Sequence, residues 1–189
     1  MNTPKPKKKS RSVYAPTPVQ DTAQEHILGI VVNNEPGILA RVIGLFSGRG
    51  YNIESLTVAE TDPSKHLSRI TIVCSGTEQV IYQITSQLER LVPVIEVSDL
   101  TVEGNHVERE LALVKVVCTG DQRIEALRTA DIFRARAVDS TLESFVFEIT
   151  GTSQKINAFI ELMSPLGLVD VSRTGVAAIS RGKNAIGAE

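Results

Sequence analysis

The sequence predicts an α+β protein made of two tandem units, each with the order β-α-β-β-α-β. Two passages of short β-branched runs alternate with stretches of helical period, and a polar, glycine-containing segment, Glu103–Glu108 (EGNHVE), divides them. The composition agrees: 42% of residues are hydrophobic but only 4% are aromatic, with no Trp, which suits thin βα layers packed with Val, Ile and Leu. That element order is the split-βαβ, or ferredoxin-like, arrangement.

In the first unit, His26–Asn33 (HILGIVVN) is a short β-branched run stopped by Asn34, Glu35, Pro36 and Gly37, which reads as a strand and a loop. Leu39, Val42, Ile43 and Phe46 then recur at helical spacing, and Gly48 and Gly50 end the helix. Tyr51–Glu60 and His66–Cys74 read as strands, with Asp62, Pro63 and Ser64 turning between them. Val80, Ile84, Leu88 and Leu91 mark a second helix, and Val94–Val102 a fourth strand.

The second unit repeats the order. Leu111–Cys118 is a strand, and Arg123–Arg134 a weakly amphipathic helix carrying Ile124, Leu127 and Ile132. Ala137–Leu142 and Phe145–Thr150 form a strand pair turning near Glu143 and Ser144. Ile156, Phe159, Ile160 and Met163 line the last helix, and Leu168–Ile179 closes the unit as one strand with a bulge at Gly175. The resulting division is a tail over 1–24, a first unit over 25–103 and a second over 104–189.

The net charge of −2 is unevenly spread, because Lys5, Lys7, Lys8, Lys9 and Arg11 all precede the first acid, Asp21. With Pro4, Pro6, Pro16 and Pro18 among them, the leader reads as a solvated, disordered tail rather than a nucleic-acid grip or an organelle address. It lacks the apolar core of a secretory signal, and no later segment is long enough to span a membrane. The expectation is a cytoplasmic protein without nucleic-acid or membrane partners. Cys74 and Cys118 stand far apart at the ends of apolar runs, as buried thiols do. His26, His66 and His106 are scattered singly, so no metal site is expected.

No active site is legible. The chain has no GxSxG elbow, no P-loop, no HExxH and no GxGxxG after a strand. A thiamine-diphosphate enzyme needs Gly-Asp-Gly leading to a distant Asn, whereas Gly120 and Asp121 are followed here by Gln122. The one informative element is the first strand-to-helix turn, Asn33–Leu39 (NNEPGIL). Gly37 permits close backbone approach, Pro36 restricts the entry, and the helix N-terminus suits a carboxylate. Asn34 offers an amide to an ammonium or a carboxylate. Such turns are most often only turns.

The run NNEPGILARVIGLFSGRGYNIESLTVAETDPSKHLSRITIVCS, from Asn33 to Ser75, resembles the ACT domain of acetolactate synthase (acetohydroxyacid synthase) small regulatory subunits. That family's GLFSxRGYNIESLTV stretch stands here at Gly44–Val58, and LSRxTI at Leu67–Ile72. The likeness continues through HVERELALVKV at His106–Val116, FRARAVD and SRTGVAAISRG, so it spans nearly everything after the tail. ACT domains in general share the Pro-Gly loop but not the His-Val-Glu-Arg-Glu segment.

The resemblance implies a βαββαβ amino-acid sensor that binds branched-chain amino acids, chiefly valine, between two ACT domains of a homodimer. It also implies activation of a separate catalytic large subunit, which would carry thiamine diphosphate, magnesium and FAD, while this chain holds no cofactor and no catalytic residue. Carried over, Asn34, Gly37, Ile38 and Leu39 form the loop side of the valine pocket, and Asn52 and Ile53 close it from the partner chain. Pro36 replaces a residue that is often Ser or another small one in the family, which stiffens the loop. The alternative is a free-standing ACT sensor acting on another enzyme or on a transcription factor, with the basic tail as its unassigned segment.

Overall fold

The computed structural model describes residues 22–102, 104–183 and 185–187. Most of the expected tail, residues 1–21, lies outside the described residues.

The first sheet contains β1 (Gln24–Asn33), β2 (Ser55–Asp62), β3 (Leu67–Gly76) and β4 (Val94–Asp99) in the antiparallel order β2-β3-β1-β4. Helices α1 (Ile38–Ser47) and α2 (Glu78–Leu88) cover one of its faces. Leu28, Ile30 and Val32 of β1 alternate toward Val42 and Phe46 of α1 and Ile81, Ile84 and Leu88 of α2. Ile27 points to the opposite face and is buried there with Val73, Leu100, Val176 and Ala178. A central strand covered on both faces has no polar side to show, so β1 reads as an unbroken apolar run. Thr77 starts α2 by accepting the Val80 amide at 3.4 Å on its hydroxyl, the usual device for an otherwise unpaired first-turn donor.

The second sheet contains β5 (His106–Val117), β6 (Arg136–Ser140), β7 (Ser144–Gly151) and β8 (Leu168–Arg173) in the order β6-β7-β5-β8. It repeats the first topology, with α3 (Asp121–Phe133) and α4 (Ser153–Met163) on one face. The core joins Ala112, Val114 and Val116 to Phe145, Phe147 and Ile149, with Ile156, Phe159 and Met163 above them. The weak amphipathicity of α3 has a concrete cause. The helix buries only the small Ala126, Thr129 and Ala130, and leaves Ile124 and Ile132 exposed. The α+β class and the two ferredoxin-like units expected from sequence are present.

Three expectations need correction. β5 starts at His106, not Leu111, so His106–Glu108 of the expected polar divider belong to a strand. The second strand starts at Ser55, not Tyr51, because Tyr51 is still tied to the helix end. Its amide donates to Phe46 O at 3.1 Å and its ring meets the Phe46 ring edge-on, centroids 6.5 Å apart. The closing strand is not one strand with a bulge. β8 ends at Arg173, and a separate β9 (Ala177–Ser180) pairs with the first residues of β5, His106–Arg109. Gly175 (φ +82°) lies in the crossover between them, where the chain leaves the second sheet and runs onto the back of the first. Arg69 of β3 donates to Ala178 O at 3.0 Å and fastens β9 there.

Candidate functional site

The loop after β1 is held from both sides. Asn33 N donates to Pro93 O at 2.8 Å, and Asn34 N to His66 O at 2.7 Å, so the loop is clamped between the α2–β4 and β2–β3 connections. The latter turn is itself set by Asp62, whose Oδ1 accepts from Ser64 Oγ at 2.6 Å, Ser64 N at 3.0 Å and Lys65 N at 3.2 Å. These donors, the Ser64 hydroxyl foremost, hold the Asp62 carboxyl below its ordinary range. His66 adopts φ +53°, which turns its carbonyl toward Asn34.

Gly37 is the N-cap of α1 with φ 85° and ψ 0°, a left-handed conformation that favours glycine. Among the described residues, no side chain caps this helix end. A Cβ built on Gly37 meets nothing within 4 Å among the described residues of the single chain. Ile38 is buried in the core, and its amide donates to Glu35 O at 3.2 Å, so it anchors the loop. Leu39 is half-buried against the same core, and Asn34 is exposed.

Asn52 and Ile53 follow the other end of α1, Asn52 exposed and Ile53 half-buried. Ten helical residues separate them from Gly37, a rise of about 15 Å. One chain therefore does not bring the two predicted halves of the pocket together. A residue outside the sequence-based set does join the loop: Glu60, late in β2, accepts from Asn34 Nδ2 at 3.4 Å. Its proximity depends on how the β2–β3 hairpin folds back, and a separation of 26 positions in sequence carries no signal for it.

Between the two units lies a cleft of about 430 Å³, lined among others by Glu54, Ser55, Glu110, Arg173 and Gly175. Glu25 also borders it, and burial together with Glu54 and Glu108 pushes its carboxyl above the ordinary range. Among the described residues, no group of three or more His, Cys, Asp or Glu is placed to hold a metal ion. No helix among them is long and apolar enough to cross a membrane.

Comparison with known proteins agrees with the two-unit layout. Residues 28–96 match the AHAS small subunit-like ACT domain, and residues 109–182 match the model of the small subunit of acetolactate synthase. The chain is 48% identical over 157 residues to the acetolactate synthase isozyme 3 small subunit of Escherichia coli, covering 82% of this chain and 95% of that one. It is 46% identical over 159 residues to the acetolactate synthase small subunit of Aquifex aeolicus, covering 84% and 82%. The crystal structure of the acetolactate synthase small subunit from Thermotoga maritima superposes with a TM-score of 0.76 at 37% identity, covering 85% of this chain and 99% of that one. With these likenesses running through both units, the chain belongs to the family of acetolactate synthase small subunits.

Proposed function

We propose that this chain is the non-catalytic regulatory subunit of acetolactate synthase in branched-chain amino acid biosynthesis. In this reading it binds valine between the ACT units of a homodimer, activates a thiamine-diphosphate catalytic large subunit and makes it sensitive to valine. It works in the cytoplasm, where the free, buried thiols of Cys74 and Cys118 suit a reducing compartment.

The observation that carries the reading is the placement of the Asn34–Leu39 loop and the Asn52–Ile53 segment at opposite ends of α1. β2 is an edge strand, paired only with β3 among the described residues, and Val58, Ala59 and Glu60 along it are exposed. An edge with unpaired N–H and C=O groups is a ready partner for a second copy. Two β2 strands joined antiparallel about a two-fold axis bring the start of one strand beside the end of the other. Asn52 of one protomer then approaches Asn34 and Glu60 of its partner, which closes the gap that a single chain leaves open.

The chemistry suits a small amino acid. The uncapped N-terminus of α1 offers N–H groups and positive potential to a carboxylate. The Asn34 side-chain oxygen and the Glu60 carboxylate accept from an ammonium. Leu39 and Ile53 supply an aliphatic wall for an isopropyl group.

The test is reconstitution with the catalytic large subunit. The small chain alone should show no pyruvate condensation, and mixing should raise turnover and introduce inhibition by valine. Condensation by the purified small chain, or a mixture indifferent to valine, overturns the reading.

A further inference from the structure

We infer that the crossover Thr174–Val176 positions the partner-facing wall of the effector pocket through Ser55, and so couples the pocket to the C-terminal unit. The inference rests on the pocket reading above.

Val176 N donates to Ser55 Oγ at 2.9 Å, a part-buried bond between residues 121 positions apart. Ser55 is the first residue of β2 and directly follows Asn52, Ile53 and Glu54. The approach is close along three residues. A Cβ on Gly175 would lie 2.7 Å from Ser55 Oγ, 3.0 Å from Thr57 Oγ1 and 3.4 Å from Leu56 O. Only glycine at positive φ lets the crossover lie this low on β2.

At its other end the crossover is built into the second sheet. Thr174 N donates to Leu111 O at 3.0 Å, and Thr174 Oγ1 accepts from Leu111 N at 3.1 Å. Arg173, the preceding residue, is paired with Glu110. A continuous, hydrogen-bonded path thus runs from β5 and β8 to the segment that would touch ligand. Ordering that segment around valine also orders the crossover. By linkage, a partner of the C-terminal unit whose affinity valine changes alters valine affinity by the same factor.

The experiment uses the full chain, alone and with the catalytic large subunit, as wild type, Ser55→Ala and Arg69→Met. Calorimetry gives the valine Kd, activity gives the half-inhibiting valine concentration, and melting gives Tm. Ser55→Ala is expected to activate normally without valine but to bind valine about five- to tenfold more weakly, the scale of one hydrogen bond. Arg69→Met removes another bond to β9, remote from Asn52, and is expected to lower Tm with the valine response within about twofold of wild type. Amide exchange in the wild type reads the same contact without substitution, and valine should slow exchange of the Val176 amide. A wild-type valine response in Ser55→Ala, equal valine shifts in both variants, or a Val176 amide indifferent to valine each overturns the coupling. A wild type that binds no valine overturns the pocket, and the coupling with it.

Discussion

Glu110 and Arg173 form a two-pronged ion pair between β5 and β8, Nε to Oε1 at 2.8 Å and one terminal nitrogen to Oε2 at 2.6 Å. Glu110 is only 4% exposed and also accepts from Ser153 Oγ at 3.2 Å, at the start of α4. Hydrogen bonding to Arg173 is the main reason that its carboxyl sits below the ordinary value. A lowered carboxylate stabilises the fold above its unfolded pKa and loses that contribution as pH falls through the folded one. Stability should therefore decline below about pH 4.3, and Glu110→Gln should flatten that acid limb. Arg173→Met strands the buried carboxylate and should cost about 2–3 kcal/mol at neutral pH, discounted because Arg173 is partly exposed. Urea melts of both variants from pH 3 to 7 check the sign and the order.

Cys74 is buried on β3, opposite His26, and burial, with smaller contributions from Asp99 and Glu54, pushes its thiol up to about 12. The folded protein keeps the thiol protonated where an unfolded chain has lost the proton. The associated stability is intact below about pH 8.5 and is lost as pH climbs toward 12. At pH 8, labelling of Cys74 by a thiol reagent should require unfolding. Mass spectrometry before and after denaturation reads this directly, and fast native labelling of Cys74 would contradict its placement.

The parts of the fold that depend on local chemistry were legible. The apolar run of β1, the period of α2 and the Asp62–Ser64 turn each declare themselves within a few residues. What was illegible depends on partners distant in sequence. Nothing local shows that the strand stops short of Gly175, because the constraint on that glycine is contact with Ser55 and Thr57, more than a hundred residues away. Glu60 joins Asn34 only through the fold of a hairpin. Asn34 and Gly37 stand out by their turn chemistry, whereas Ile38 and Leu39 enter the pocket only through the family resemblance. Asn52 and Ile53 came from family resemblance alone, since their proposed role lies across a dimer and leaves no periodic trace.

Asn34→Ala should weaken valine binding by about 1–3 kcal/mol, the cost of leaving a ligand's polar group unpaired. The side chain is exposed, and its bond to Glu60 is long at 3.4 Å, so the fold itself should barely notice. Calorimetric titration against an unchanged melting curve separates the two effects. A drop in Tm without a change in Kd would make Asn34 a loop-stabilising residue instead.

Gly37→Asp should abolish feedback while sparing activation. An added Cβ touches nothing among the described residues of the single chain, so their packing does not exclude the variant. The backbone at φ 85° still penalises a side chain by about 1 kcal/mol, and Asp tolerates that region better than most residues. Tm should therefore fall only modestly. The effect on ligand is expected to be larger, because a negative charge at the N-terminus of α1 would occupy the field proposed for valine's carboxylate and repel it. Gly37→Asn matches the size and backbone preference without the charge, and it should retain part of the valine response. The measurement is an activity titration of the reconstituted enzyme with wild type and both variants. If Gly37→Asp is inhibited at the wild-type valine concentration, the carboxylate does not sit at this helix end and the pocket is elsewhere.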